Sequence, residues 1–274
     1  MRVALTIAGS DSSGGAGLQA DLKTFAALSV YGLSAATAVT AQSTVGVIQA
    51  EALPADLVTA QIEAVAGDIE LHAVKTGMLG NAAIVEAVAA AIKELDLPFV
   101  VVDPVLASSR GDHLLDDDGV QMLCRELLPL AHVVTPNVPE AEALSGKRIE
   151  SDEDLKDAAR RIHDMGAGAV LITGGHRRHH RLPTTDHRPP EIVDVLFDGH
   201  HFLEFHTARI DTPGAHGTGC AFAAAVAAYL ALGRPLGDAA ERAQRYVAAA
   251  IRNRLEIGHG QGLLNHFWGG ILKE

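Results

Sequence analysis

The sequence predicts an α/β fold with a central, mostly parallel sheet and helices on both of its faces. Three observations carry that expectation. Short β-branched runs recur at residues 3–8, 73–76, 99–103, 132–135 and 169–173, and segments of helical period separate them. The run Phe99-Val100-Val101-Val102 is apolar without alternation, which is what a strand covered on both sides requires. The chain has 274 residues, 48% of them hydrophobic, which suits one large domain over 1–274 and is too little for two full-sized enzymatic ones.

Taken in order, the opening strand runs into Gly-rich sequence, and a helix is expected over 18–28, where Leu18, Leu22, Phe25 and Leu28 share a face. Residues 34–51 are rich in Thr, Val and Ala with alternating polarity, so they read as extra strands outside the main sheet, suited to a lid. Helices follow at 82–95 and 152–165. Residues 177–190 are rich in His, Arg and Pro; their spacing matches no familiar metal site, and they read as a flexible surface loop. Residues 192–205 alternate around Asp198-Gly199, a hairpin signal, and again read as strands outside the main sheet. Two Ala-rich helices, 217–232 and 236–252, come last, with side chains small enough for close packing.

Charge and cysteine usage narrow the function. A formal net charge of −12 sets nucleic acid and anionic membrane against the overall field, so a small-molecule substrate is expected. An anionic one is still admissible, because a local nest of backbone N–H groups outweighs a distant field. Cys124 and Cys220 belong to no disulfide or zinc spacing, which suits a reducing cytoplasm. The N-terminal run lacks the length of a signal segment, and no stretch reaches the ~20 apolar residues of a membrane span.

The most informative segment is RIDTPGAHGTGCAF, residues 209–222, a Gly-rich turn leading into a helix. Backbone N–H groups at a helix start are unpaired, and Gly217 and Gly219 would let an anion come close to them. Such turns are common, however, and GxG alone leaves a purely structural turn equally open. Cys220 falls in the first helical turn, where the dipole favours a thiolate and lowers the thiol from its free value of ~8.5. A general base acting on a hydroxyl is one reading; a small buried hydrophobe is the other. Gly14, Gly15 and Gly17 do not have GxGxxG spacing and no acidic residue ends a second strand, which sets a dinucleotide-binding dehydrogenase aside. Val102-Asp103-Pro104-Val105 places a carboxylate at the C-terminal end of a parallel strand, where open α/β sheets bind ligands.

These segments together resemble the ribokinase-like kinases, in the branch that phosphorylates hydroxymethylpyrimidine and phosphomethylpyrimidine. Residues 209–222 are similar to that superfamily's anion-hole motif, with cysteine where most branches carry aspartate. AGSDSSGGAGLQADLKTF (8–25), TAQST (40–44), VKTGMLG (74–80) and TPNVPEAE (135–142) continue the likeness in order, from Val3 to about Ile251. The resemblance implies a ribokinase-like domain with a small strand-built flap, ATP as donor with Mg2+, and a homodimer. It implies transfer to 4-amino-5-hydroxymethyl-2-methylpyrimidine and then to its monophosphate. By resemblance the catalytic group is Gly217, Thr218, Gly219 and Cys220, and the substrate meets Gly9, Ala16, Asp21, Gln42, Met78 and Val105. Asn137, Thr173 and Asp103 would serve the nucleotide, and Asp103 and Glu140 the metal. Gln42 suits its part, since a carboxamide offers an acceptor to an exocyclic amine and a donor to the neighbouring ring nitrogen. Magnesium keeps several waters, so one or two carboxylates are enough for it. One departure stands out: Thr173 occupies the place of a lysine found in many relatives, so phosphate charge must be met by magnesium, the anion hole or Arg and His of the following loop. Two alternatives accompany this reading, a pyridoxal or pyridoxine kinase of the same superfamily and a non-catalytic pyrimidine-binding protein.

Overall fold

The computed structural model describes residues 1–107, 113–176, 191–210, 212 and 215–270. The chain runs through β1 (Val3–Asp11), α1 (Gly17–Ala27), β2 (Tyr31–Ser43), β3 (Gly46–Ala52), α2 (Ala55–Ala66), β4 (Ala73–Thr76) and α3 (Ala82–Glu94). It continues through β5 (Val100–Val102), α4 (Asp117–Met122), β6 (Val133–Val134), α5 (Val138–Ser145), α6 (Asp152–His163), β7 (Val170–Ile172), β8 (Glu191–Phe197) and β9 (Phe202–Ala208). Last come β10 (Ala215–His216), α7 (Thr218–Ala231), α8 (Leu236–Arg252) and β11 (Gly262–Leu263).

Among the described residues the main sheet has nine strands, in the order β3-β2-β1-β4-β5-β6-β7-β8-β9. Its six central members are parallel, and antiparallel strands complete both edges. The mostly parallel sheet is therefore as expected, but the two alternating segments are not outside it. β2 follows β1 from Val3↔Tyr31 to Asp11↔Thr40, so its backbone is committed to the main ladder before β3 turns back on it. β8 pairs with β7 and β9 with β8 around the turn at Asp198, whose carboxylate accepts the N–H groups of His200 and His201. The flap is thus the far end of the β2–β3 hairpin. Its tip is tied down where Thr44 accepts the N–H groups of His259, Gly260 and Gln261.

Alternation along the strands sends side chains into two cores, one on each face. Leu5 and Ile7 of β1 join Val58 and Ile62 of α2, Ile84 and Val88 of α3, and Leu155 and Ile162 of α6. Ala4 faces the other way, with Phe25 of α1, Ala223 and Ala227 of α7, and Ala240 and Ala243 of α8. α7 is apolar all round because it lies in the middle of this second layer, buried continuously from Ala221 to Ala228. The alanines let α1, α7 and α8 pack closely on one another in this layer. None of the described helices is long and apolar enough to cross a membrane. The predicted loop at 177–190 lies outside the described residues.

Candidate active site

Two helix N-termini meet above the C-terminal edge of the sheet. Gly217 precedes α7 at φ +83°, and a Cβ on it would lie 1.8 Å from the Gly15 carbonyl oxygen. Gly17 opens α1 at φ +53°, and a Cβ there would lie 2.2 Å from the Gly9 carbonyl oxygen. Only glycine tolerates either position, so the two Gly-rich segments pack backbone against backbone. Thr218, Gly219 and Cys220 form the first turn of α7, and the Gly17 N–H of α1 donates to the Cys220 sulfur. A Cβ on Gly219 would meet nothing within 4 Å, so open space lies in front of these N–H groups. The start of α7 is open on that side, and a helix N-terminus so exposed suits an anion such as a phosphoryl group.

Beneath it lies a buried charge cluster centred on a residue the sequence reading did not single out. Lys75 of β4 is fully buried; its Nζ lies 2.9 Å from Asp21 Oδ2 and 3.5 Å from Asp103 Oδ2. Thr6 donates a further 2.6 Å bond to Asp21 Oδ2. Burial would neutralise Lys75, yet Asp21, Cys220 and Asp103 outweigh it and hold the ammonium well above its ordinary range. Asp21 was expected against the substrate. It is instead fully enclosed, with its oxygens facing Lys75 and Thr6, and it acts through that lysine. The expected low thiol pKa at Cys220 is also overturned. Burial, with Asp103 and Asp21 adding to it, pushes the thiol up to about 12 despite Lys75 and the Gly17 N–H. The helix dipole is real, but desolvation and two carboxylates from other elements outweigh it.

Asp103 leaves β5 and bonds the Cys220 thiol, and its Oδ2 has no hydrogen-bond partner although it is buried. Glu140 is pushed up to about 8, first by burial and then by the charge of Asp103. Asn137 and Glu140 close a capping box at the start of α5: Asn137 Oδ1 accepts the Glu140 N–H, and Glu140 Oε2 accepts the Asn137 N–H. Thr173, at the end of β7, is bridged to Asn137, and its N–H donates to the Pro136 carbonyl. Thus Thr173, Asn137, Glu140 and Asp103 are neighbours in one group. Asp103 Oδ2 makes no hydrogen bond and faces only the Lys75 ammonium at 3.5 Å, and Glu140, a carboxylate that ionises reluctantly, stands close to Asp103; two such carboxylates fit a divalent cation. Among the described residues no group of three or more His, Cys, Asp or Glu could hold a metal, so a cation here would draw most of its shell from waters and substrate oxygens.

At the other end of the site, Met78 lies across Gly9, where a Cβ would come within 2.3 Å of the methionine methyl. Val105 follows Asp103 in a tight turn, its N–H donating 2.9 Å to the Asp103 carbonyl. Gln42 is half-buried on β2 and faces His216, whose Nε2 is 2.9 Å from the carboxamide and 3.0 Å from Asp11 Oδ2. Asp11 also accepts the N–H groups of Ser13 and Ala16. Burial works against its charge, but the bonds from His216 and Ser13 hold its carboxyl below the usual range. Asp11, Lys75 and His216 were all missed by the sequence reading. A lysine inside a four-residue strand that is otherwise apolar or small was the one signal that could have flagged Lys75.

A family model described as "Phosphomethylpyrimidine kinase" matches residues 11–265. The hydroxymethylpyrimidine/phosphomethylpyrimidine kinase of Bacillus subtilis is 48% identical over 264 residues, covering 96% of this chain and 94% of that protein. A thiamine biosynthesis bifunctional protein of Geobacter sulfurreducens is 48% identical over 262 residues, and this chain spans 51% of its length. Among solved structures, an ADP complex of Bacillus subtilis pyridoxal kinase superposes with a TM-score of 0.86 at 40% identity, covering 97% of both chains.

Proposed function

The chain belongs to the phosphomethylpyrimidine kinase family, and from that premise we propose that it moves the γ-phosphoryl group of ATP first onto the hydroxymethyl group of 4-amino-5-hydroxymethyl-2-methylpyrimidine and then onto the resulting monophosphate. The observation that carries the reading is the meeting of the α1 and α7 N-termini at Cys220, over Lys75 and Asp103. Phosphoryl transfer is mainly positioning and neutralisation of charge on the equatorial oxygens, and this site offers both. Asp103 and Glu140, with Asn137 beside them, would hold magnesium and its waters, and that ion supplies neutralisation of phosphate charge. Thr218 and Gly219 present backbone N–H groups to the transferring phosphoryl. Burial raises the Asp103 carboxyl above its ordinary range, and the Lys75 ammonium works against that and fixes the side chain. Gln42, Met78, Gly9, Ala16 and Val105 border the acceptor ring.

Cys220 carries its proton at neutral pH and donates to Asp103. A proton leaving the hydroxymethyl oxygen can pass to the sulfur while the thiol proton passes to that carboxylate. The second acceptor needs no such step, because a phosphate monoester with a second pKa of ~6 arrives mostly as the dianion.

The ADP-bound neighbour acts on pyridoxal, so pyridoxal is the competing acceptor. Measured side by side, the aminopyrimidine should show the higher kcat/KM; a higher value for pyridoxal would reverse the assignment. A homodimer is part of the proposal, and sedimentation should then give about twice the 28.7 kDa of one chain.

A further inference from the structure

We infer that His216, keyed by Asp11, locks the carboxamide of Gln42 in one orientation and so sets which ring edge the site accepts. The inference rests on the proposal that Gln42 faces the acceptor ring.

The geometry is a hydrogen-bond puzzle with one consistent solution. Asp11 accepts from the Ser13 N–H and hydroxyl at 2.8 and 2.7 Å and from the Ala16 N–H at 2.8 Å, so it is an ionised acceptor. With His216 Nε2 3.0 Å from Asp11 Oδ2, that ring nitrogen must carry a proton. The Gln42 atom 2.9 Å from the same Nε2 therefore has to be an acceptor, which is the carboxamide oxygen and not its nitrogen. The other end of the amide is 3.2 Å from Thr40 Oγ1, and Thr40 gives its own proton to the Ser10 carbonyl at 2.9 Å. Thr40 Oγ1 can then only accept, which requires the amide nitrogen on that side. Every donor meets an acceptor in this arrangement, the single Nε2 proton being shared in a three-centre bond between Asp11 Oδ2 and the Gln42 oxygen. In the opposite one, two nitrogens face each other across 2.9 Å and the Thr40 proton is claimed twice.

Once His216 and Thr40 are satisfied, Gln42 has one oxygen lone pair and one N–H left, side by side. An adjacent acceptor and donor recognise a ring with an amine next to an unprotonated ring nitrogen. The imidazole is itself held in register, because it lies over Gly15, where a Cβ would come within 2.6 Å of its Cδ2. His216 is thus a positioning residue for specificity, acting through Gln42 and not on the reacting atoms.

The test compares the aminopyrimidine with its analogue lacking the exocyclic amine. The wild type should discriminate by roughly 100-fold in kcat/KM, the range expected of a site whose polar edge is left unpaired. His216→Met removes the donor and should lower kcat/KM for the aminopyrimidine by about 10- to 100-fold while narrowing the discrimination by the same factor. The KM for ATP should stay within about twofold, since His216 acts on the acceptor side through Gln42. His216→Gln places an amide N–H where Nε2 stands and should restore the discrimination. Should His216→Met not fold, His216→Asn, whose amide stops short of Gln42, takes its place with the same expectation. Equal losses on both substrates, or wild-type discrimination in the methionine or asparagine variant, would overturn the role. Gln42→Leu separates the two levels: if it costs nothing, the placement of Gln42 falls and this inference with it. If it is costly while the His216 variants are silent, the inference alone falls.

Discussion

Replacing Lys75 by methionine tests the buried cluster on which the site stands. The ammonium lies 2.9 Å from Asp21 and 3.5 Å from Asp103, all three side chains being 0 to 5% exposed. At an effective dielectric of ~20 these separations correspond to attractions of about 6 and 5 kcal/mol, offset in the wild type by several kcal/mol of desolvation per ion. Methionine keeps most of the volume but leaves two carboxylates buried without a cation. Breaking a buried pair from one side costs about 3–5 kcal/mol, out of the ~5–15 kcal/mol a domain has. For a chain of this size that is a fall of roughly 5–9 °C in Tm. Urea denaturation of Lys75→Met, of Asp21→Asn and of the double variant gives the coupling directly. The double variant should be more stable than Lys75→Met by about 2 kcal/mol, because it removes one stranded charge. A loss under about 1 kcal/mol in the single variant, or simple additivity in the double, would refute the cluster as the energetic centre of the site.

Three other substitutions probe separate parts of the account. Gly217→Ala places a Cβ 1.8 Å from the Gly15 oxygen at φ +83°; kcat should fall by about 100-fold or more as the N–H groups are displaced, and a loss within threefold would show the turn does not position the phosphoryl group. Cys220→Ala should slow phosphorylation of the alcohol by about 10²-fold or more and that of the monophosphate far less; equal losses in single-turnover assays would remove the proton-transfer role. His266 is buried, and first burial, then Lys23, lower its pKa to about 4 from an ordinary 6.5. The unfolded chain therefore binds more protons between those values, so its stabilising contribution is present above pH ~6.5 and is lost as pH falls toward 4, by about 3 kcal/mol in all. In denaturation curves at pH 7.5 and 5, His266→Asn should flatten that dependence, and an unchanged slope would assign it to other groups.

What could be read from the sequence was what is local. The β4 run 73–76 and the helix 236–252 fall on their structural bounds, because period and composition decide them residue by residue. α2 escaped because only Val58 and Ile62 of its twelve residues are buried, too narrow a stripe to mark a period. Whether 34–51 joins the main sheet depends on its register with β1, a pairing the alternation does not specify. The same limit explains Cys220. Its place in the first helical turn is visible in the motif, but the sign of its pKa shift is decided by Asp103 and Asp21, which arrive from β5 and α1. Glu140 was expected at the metal, and the structure adds a second part for it in the capping box of α5, set by its spacing of three from Asn137.

The most direct test of the central claim is product stoichiometry. With excess Mg-ATP, one equivalent of the aminopyrimidine should release two equivalents of ADP. Phosphorus NMR should show the monophosphate rising and then giving way to the diphosphate. One equivalent of ADP with the monophosphate as end product, or none while pyridoxal is consumed, would contradict two successive transfers at this site.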